Sequence, residues 1–288
     1  MTLIVFGHII GHGIGGGRFN PDGSPSMGAL LQPLYSYHVD AFIFISGYYG
    51  IKLKWSKFLT LVGKWMFYGA VAVAIVMFLT NNYSLTYLAK NIFPISTCDQ
   101  WFMAQYLYLM LMAPLLNVGM ESLKKKQSAI LLIVMYLSSF RLFSCLMVFI
   151  YLLGRHLRKY PILILKNHSV WIFLCTLIVF SIFNLACLKM HIYPEKMYQY
   201  MSPFLIVAAI SLFYSFLRIN VKWNGIGFIA SGVLAAYLIT DHELLRPFFT
   251  KTIAEECQYN LFLMFIVSGI VVIGCSMFDS IVMKACKK

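Results

Sequence analysis

The sequence predicts an all-α integral membrane protein with about ten transmembrane helices and both termini in the cytoplasm. Hydrophobic residues make up 60% of the 288 positions, charged residues make up 11%, and the mean hydropathy is +0.78. A soluble domain carries about 25% charged residues. The apolar residues fall into runs, and the connectors between the runs alternate in charge. These three observations are typical of a multi-pass membrane protein.

The apolar runs predict where the helices lie. A spanning helix needs about 20 mainly apolar residues, because every backbone polar group must be satisfied inside the segment where no water is available. Hydropathy and Gly/Pro punctuation place helices at about 2–14, 33–51, 58–80, 101–119, 128–140, 143–154, 169–189, 203–218, 226–240 and 257–281. The sequence shows no internal repeat and no soluble segment, so residues 1–288 are predicted to form a single polytopic domain.

Charge on the connectors predicts the orientation, because cytoplasmic loops carry an excess of Lys and Arg. The basic connectors contain Lys52, Lys54, Lys57, Lys124, Lys125, Lys126, Arg155, Arg158, Lys159, Arg218, Lys222, Lys284, Lys287 and Lys288. The connectors between them contain Asp22, Asp99, Glu195, Asp241, Glu243, Glu255 and Glu256. The net charge of +13 therefore follows from topology. Nucleic-acid binding, which needs basic residues clustered on one solvated face, is not predicted.

Two segments depart from a regular ten-span pattern. Residues 128–154 have basic clusters at both ends but are too short for two full spans. We interpret this segment as a shortened hairpin with its tip at Ser138, Ser139 and Arg141. The alternative is one long tilted helix, which would invert the topology of all the following helices. The first apolar segment, Thr2–Gly13, is also too short to span. We expect an incomplete first helix, from a start codon assigned too far downstream or from a natural truncation.

A few ionisable residues lie within or at the ends of apolar runs, where charge is costly and each such residue is a functional candidate. They are His8, His12, His38, Asp40, Asp241 and His242. A histidine can take a proton from a hydroxyl near neutral pH, and a nearby carboxylate can stabilise the imidazolium. His8 with an acidic partner is therefore a candidate general base. The alternative is a helix-end histidine bonded to a backbone carbonyl or a lipid headgroup. No Cys or His spacing predicts a metal site.

Five short segments follow one another in a characteristic order. They are 4–9 (I-V-F-G-H-I), 39–48 (V-D-A-F-I-F-I-S-G-Y), 101–117 (W-F, then Tyr106, then P-L-L-N), 151–154 (Y-L-L-G) and 236–239 (A-Y-L-I). The second is close in spacing and chemistry to the pattern V-D-x-F-F-x-x-S-G-F/Y, with Ile43 in place of its second Phe. As a series they resemble the acyltransferase type 3 family of membrane acyltransferases over nearly the whole chain.

The resemblance implies a ten-helix enzyme of the bacterial cytoplasmic membrane. Such an enzyme moves an acetyl or succinyl group from acyl-CoA to a hydroxyl of an envelope polysaccharide or a lipid-linked sugar, without a metal. His8 takes the place of the family's essential first-helix histidine, and Asp40 is the second residue expected to be catalytic. The expected substrate-binding residues are Ser46, Tyr48, Trp101, Tyr106 and His242.

Basic residues near the cytoplasmic ends of the helices suit the phosphates of CoA. The expected contacts are Lys52, Lys54, Arg155 and Arg158. A solvated cluster that obeys the positive-inside rule explains the same residues equally well. The expected mechanism is direct attack, in which His8 acts as general base on the acceptor hydroxyl.

Three departures from the family pattern leave rival functions open. The hairpin at 128–154 is shorter than is usual in the family. The family's first-helix Arg would lie before Met1, and Thr240 occupies the place of a family His. His242 lies two residues later, which is about 200° around a helix. One rival is a transporter or flippase for a lipid-linked sugar, which inverted repeats would favour. The other is a catalytically inactive remnant of the acyltransferase fold.

Overall fold

The computed structural model describes residues 1–14, 19–20, 22–80, 85–92, 100–192, 200–219 and 225–285. Among them it contains the helices α1 (Thr2–His8), α2 (Met27–Tyr35), α3 (His38–Tyr49), α4 (Trp55–Thr80), α5 (Leu85–Ile92), α6 (Trp101–Ser122), α7 (Lys125–Ser139), α8 (Phe143–Lys159), α9 (Leu163–Asn167), α10 (Ser169–Lys189), α11 (Pro203–Phe216), α12 (Gly225–Thr240), α13 (Arg246–Glu256) and α14 (Leu261–Ala285). Helix α1 continues as a π-helical turn, Ile9–Gly13. The connector residues Asp99, Glu195, Lys222, Lys287 and Lys288 lie outside the described residues.

The predicted all-α class is confirmed, since the described residues form helices and no strand. Four helices are long and apolar enough to cross a bilayer, namely α4, α6, α10 and residues 261–284 of α14. Helix α10 exposes Trp171, Ile178 and Ile182. Apolar side chains on the outside of a helix are stable in lipid and costly in water. The chain is therefore a multi-pass membrane protein.

The helix predicted over 33–51 is wrong in one respect, because α2 and α3 are separate helices. Pro33 has no backbone N–H and weakens the hydrogen-bond ladder of α2. In a continuous helix the carbonyl of Tyr35 would accept from the N–H of Val39. Here that carbonyl accepts a hydrogen bond from Nδ1 of His38. The side chain of His38 thus replaces a backbone bond at the break.

Residues 128–154 lie in a helical hairpin rather than in one continuous helix. Helices α7 and α8 pack against each other and are joined by a turn at 140–142. The backbone N–H groups of Arg141 and Leu142 both donate to the carbonyl of Ser138, at 3.0 and 2.9 Å. The helices have 15 and 17 residues, shorter than a full span. Because the chain reverses direction at this turn, the basic residues at the two ends of the hairpin lie on the same side of it.

The contacts of the chain group it into two compact units. The first contains residues 1–29, 55–104 and 222–288, and the second contains 30–54 and 105–221. In the first unit α1 packs on α14 and α12, around a buried core that includes Val5, Ile9, Ala236 and Met264. In the second unit α3 packs on α8 and α11, and α8 also packs on α7.

Glycines bring α3 and α8 of the second unit into backbone contact. A Cβ atom at Gly154 would lie 2.5 Å from the carbonyl oxygen of Phe44, and one at Gly47 would collide with the carbonyl of Tyr151. Only glycine permits this approach, as in other closely packed helix pairs in membranes. The glycines of the S-G-Y and Y-L-L-G segments therefore serve packing.

A side-chain network holds the chain at the end of α3. The hydroxyl of Tyr151 donates to Oδ1 of Asn117 at 2.8 Å and accepts from the N–H of Ile51 at 2.9 Å. The Asn117 amide donates to the carbonyl of Ile51 at 3.0 Å. These bonds satisfy backbone groups that the end of a helix leaves unpaired. Tyr151 and Asn117, which carry part of the family resemblance, thus position the connector that follows α3.

Gly154→Ala should lower the thermal stability of the purified protein. The added methyl group overpacks the contact between α3 and α8, and overpacking costs about 1–3 kcal/mol. The matched control is Gly119→Ala on α6, where an added Cβ meets nothing within 4 Å. Alanine is the better helix former by up to about 1 kcal/mol, so the control should be neutral or stabilising. Thermal unfolding in detergent measures both, and equal melting temperatures would contradict the packing role.

Candidate active site

The candidate site lies in the first unit, where the π-helical turn after α1 packs on α13. Gly13 ends this turn, and a Cβ atom there would collide with the backbone carbonyl of Thr250. A glycine therefore permits the close approach. Single π turns within α-helices occur frequently at functional sites. Here the turn follows directly after His8.

The hydroxyl of Thr240 determines which nitrogen of His8 carries the proton. Nδ1 of His8 lies 3.2 Å from Oγ1 of Thr240, and that hydroxyl donates its own hydrogen to the carbonyl of Ala236 at 2.8 Å. A hydroxyl has one hydrogen to donate and can still accept. Thr240 therefore accepts from Nδ1–H. In the neutral ring the free lone pair is on Nε2.

The free nitrogen of His8 faces a carboxylate. Nε2 lies 3.6 Å from Oδ1 of Asp241, and both side chains are almost buried, at 12% and 10% exposure. Nη1 of Arg246 donates to the same oxygen at 3.2 Å. The distance from Nε2 to Oδ1 is longer than a hydrogen bond. The arrangement leaves the lone pair available and places a negative charge where an imidazolium would form.

Burial raises the pKa of Asp241, which lies in the turn after α12. The hydroxyl of Tyr237 and the charge of Arg246 oppose that rise. The ring of Tyr237 also lies beside the ring of His8, with centroids 6.2 Å apart. Tyr237 and Arg246 therefore support the ionised form of Asp241 in a buried position.

His242, a predicted substrate-binding residue, lies in the turn that leads to α13. Its side chain is buried, and burial lowers its pKa to about 4. Nδ1 accepts from the N–H of Leu244 at 3.3 Å, and its carbonyl accepts from the N–H of Arg246 at 2.7 Å. A neutral His242 thus shapes the turn that presents Arg246 to Asp241.

Gln100, which the sequence analysis missed, holds α12 in place. Its Oε1 accepts from Nε1 of Trp65 at 2.5 Å, and its Nε2 donates to the carbonyl of Leu238 at 2.9 Å. The next residue, Trp101, is half-buried in the first turn of α6. Phe102 contacts the edge of Tyr237, with ring centroids 5.4 Å apart. These contacts fix the helix that carries Thr240.

A second missed group is an ion pair inside the apolar helices of the first unit. Nζ of Lys64 lies 2.6 Å from Oδ2 of Asp279, and the hydroxyl of Tyr68 donates to Oδ1 at 2.8 Å. Lys64 belongs to α4 and Asp279 to α14. Charged residues inside spans are expensive unless they pair. The sequence does contain a signal for this ion pair, because each of the two apolar runs contains an ionisable residue.

The second unit holds the other expected catalytic residue, Asp40, and several expected substrate contacts. Asp40 is fully buried in the first turn of α3, and neither carboxylate oxygen has a hydrogen-bond partner among the described residues. Buried polar atoms are nearly always paired, so an unpaired carboxyl group calls for an explanation. The Ser46 hydroxyl donates to the carbonyl of Phe42 at 3.0 Å, and Tyr106 contacts both residues.

The four basic residues expected to contact CoA differ in their surroundings. Arg155 pairs with Glu121, and only 14% of its side chain is exposed. Arg158 is exposed and donates to the carbonyl of Tyr48 at 3.0 Å. Lys52 and Lys54 are exposed in the connector after α3. Arg155 is thus engaged within the protein, whereas the other three cations present charge at the surface.

The structure brings His8 together with Asp241, Thr240 and Arg246 in the first unit. Asp40, the second residue expected to be catalytic, belongs to the second unit, and the carboxylate that faces His8 is that of Asp241. The sequence shows Thr240 and Asp241 only as the end of an apolar run. Their meeting with His8 was not predictable from it, because Thr240 and His8 are 232 positions apart.

Comparison with known protein families supports the resemblance inferred from the motifs. The model of the acyltransferase type 3 family, described as an acyltransferase domain, matches residues 1–278. The chain therefore belongs to the acyltransferase type 3 family. Searches of curated proteins and of solved structures found no match. Family membership supports acyltransferase activity in general terms.

Arg246→Gln should shift the acid limb of the acyl-transfer pH profile to higher pH. The charge of Arg246 lowers the pKa of Asp241, so its loss raises that pKa further. If the carboxylate form is the active one, activity falls as pH decreases through this pKa, and the loss then begins at a higher pH. The control is Lys251→Gln on the same helix, whose exposed cation pairs with Glu255. Superimposable profiles for Arg246→Gln and wild type would contradict this role.

Proposed function

We propose that the protein is a membrane-bound O-acyltransferase in which His8 is the general base. The observation that carries the proposal is the geometry of His8, whose Nδ1–H is directed to Thr240 and whose Nε2 faces Asp241. A base needs a free lone pair, a fixed orientation and a counter-charge for its protonated form. His8 has all three within one unit of the structure.

The proposed reaction is a direct transfer without an acyl-enzyme intermediate. Nε2 of His8 removes the proton of the acceptor hydroxyl as its oxygen attacks the thioester carbonyl. The carbon–sulfur bond breaks, and the thiolate of the leaving group takes the proton from the imidazolium. One ester and one thiol are formed from one alcohol and one thioester. Asp241 stabilises the imidazolium between these two proton transfers.

The proposed donor is acetyl-CoA or succinyl-CoA, and the proposed acceptor is a hydroxyl of an envelope polysaccharide or a lipid-linked sugar. Membership of the acyltransferase family and the exposed cations Lys52, Lys54 and Arg158 support an anionic donor. We place the enzyme in the bacterial cytoplasmic membrane, where the donor is made on one side and envelope glycans are displayed on the other.

Other residues have proposed supporting roles. Asp40 is a second acidic group, and its unpartnered oxygens are available to a ligand hydroxyl. The residues Ser46, Tyr48, Tyr106 and Trp101 are proposed polar and aromatic contacts for the substrates. His242 acts through the turn that it shapes, and Arg155 acts through its ion pair with Glu121.

His8→Ala should reduce acyl transfer by about 10²–10⁴-fold, the usual contribution of a general base. Transfer of a radiolabelled acetyl group from acetyl-CoA to envelope glycan provides the measurement. The matched control is His168→Ala, which removes an exposed histidine of the second unit. His168→Ala should keep the melting temperature of the wild type, whereas His8→Ala, which removes a nearly buried side chain, should melt at a lower temperature but still in a cooperative transition. Equal transfer by wild type and His8→Ala would reject His8 as the base.

We also propose ten spans with both termini in the cytoplasm. The hairpin of α7 and α8 supports this topology, because it returns the basic ends at 124–126 and 155–159 to one side. Reporter fusions ending after Lys54 and after Lys126 should both report the cytoplasm, as expected from the positive-inside rule. A fusion after Glu256 should report the outer side and serves as the control. Opposite faces for Lys54 and Lys126 would exclude the topology.

A further inference from the structure

The guanidinium of Arg246 is only partly used by its contact with Asp241. Its Nη1 donates to Oδ1 of Asp241 at 3.2 Å, and this side chain makes no other hydrogen bond or ion pair within the described residues. An arginine has five N–H donors in a planar fork. With Nη1 on Asp241, the parallel N–H groups of Nε and Nη2 form an edge that remains available for a second partner.

Arg246 is more exposed than the reacting groups that it supports. Its side chain is 31% exposed, whereas the side chains of His8 and Asp241 are 12% and 10% exposed. His12 is also exposed, and its ring centroid lies 6.3 Å from that of His8. The charges of both Arg246 and Asp241 act on His12. The candidate site therefore opens on the side of His12 and Arg246, and a molecule that approaches His8 from this side meets the guanidinium.

The neighbouring charged residues have other surroundings. Lys251, which is also on α13, is exposed and pairs with Glu255 at 3.8 Å. Glu243, in the turn before α13, is exposed, and water and salt screen the charge of an exposed carboxylate. Arg246 is thus the cation of α13 that contacts the candidate site.

We infer that the free edge of Arg246 binds a carboxylate of the acyl acceptor, so that the enzyme prefers an acidic sugar such as a uronic acid. The inference rests on the proposed function and topology. A guanidinium edge binds a carboxylate through two parallel hydrogen bonds, and lysine cannot reproduce that geometry. Because Nη1 is held by the carboxylate that faces His8, a sugar bound on the other edge is placed beside Nε2 of His8.

A succinyl group on the donor offers the same carboxylate chemistry. The acceptor is favoured, because the proposed topology places the turn of Asp241 and Glu243 on the outer side, where glycans are displayed. The donor comes from the cytoplasm. Recognition of the acceptor does not depend on which acyl group is transferred, whereas recognition of a succinyl group requires succinyl-CoA. The choice of donor therefore distinguishes the two sources.

The experiment measures acetyl transfer from acetyl-CoA to methyl glucuronide and to its primary amide, by the purified full chain in nanodiscs. The two acceptors have the same hydroxyl groups and differ in charge. Wild type should prefer the glucuronide by roughly tenfold or more, through a lower KM, as expected for hydrogen bonds between charged groups. Arg246→Gln should abolish the preference, and Arg246→Lys should keep only part of it. Lys251→Gln is the matched control and should keep all of it.

The ratio of the two kcat/KM values separates this role from the support that Arg246 gives to Asp241, because weaker support slows transfer to both acceptors alike. An unchanged ratio in Arg246→Gln, or a wild type without preference, would overturn the inference and leave the proposed function standing. So would dependence on Arg246 that occurs with succinyl-CoA but not with acetyl-CoA, because the carboxylate would then belong to the acyl group.

Two further measurements keep the test decisive. If Arg246→Gln fails to fold, the ratio in Arg246→Lys decides. If the wild type transfers no acyl group, calorimetry compares binding of the glucuronide and of its amide. Binding of the glucuronide that depends on Arg246 would then support the inference and refute the proposed function. Equal or absent binding of the two compounds would refute both.

Discussion

A polar side chain among the apolar helices is costly unless it finds a partner, and lipid offers none. The hydroxyl groups of Thr240 and Ser46 donate hydrogen bonds to backbone carbonyls one turn earlier in their own helices. Gln100 is shared between Trp65 and the backbone of α12. Each hydrogen bond also determines which lone pairs and hydrogens of its two groups remain available to other partners. The requirement for internal pairing therefore determines the chemistry that the remaining groups can perform.

At His8 this constraint becomes a choice of tautomer. Thr240 already donates its hydrogen to a carbonyl, so Nδ1 of His8 must donate and Nε2 must carry the lone pair. Asp241 lies too far from Nε2 to block it but close enough to stabilise an imidazolium. Low local dielectric strengthens that interaction relative to water. Burial raises the pKa of Asp241, and Arg246 and Tyr237 oppose that rise.

The residues that carry the family resemblance serve two different purposes. Gly47 and Gly154 let α3 and α8 touch, and Tyr151 with Asn117 ties down the connector after α3. These are packing and hydrogen-bonding requirements of the second unit. His8 belongs to the first unit, where it contacts Thr240 and Asp241, and its proposed role is that of a proton acceptor. The motifs alone do not distinguish packing residues from site residues, because both occur in short local sequence patterns.

The sequence by itself determined the helical class, the long apolar helices, the reversal between α7 and α8 and the candidacy of His8, because hydropathy and charge are local properties of the chain. Tertiary structure alone decided that Asp241 and Thr240 face His8, that Gln100 supports α12 and that Lys64 pairs with Asp279. It also separated α2 from α3, through a bond from the side chain of His38. The physical reason is that these contacts join residues by direction and distance in space, and no periodicity in the chain records which distant helix faces will meet.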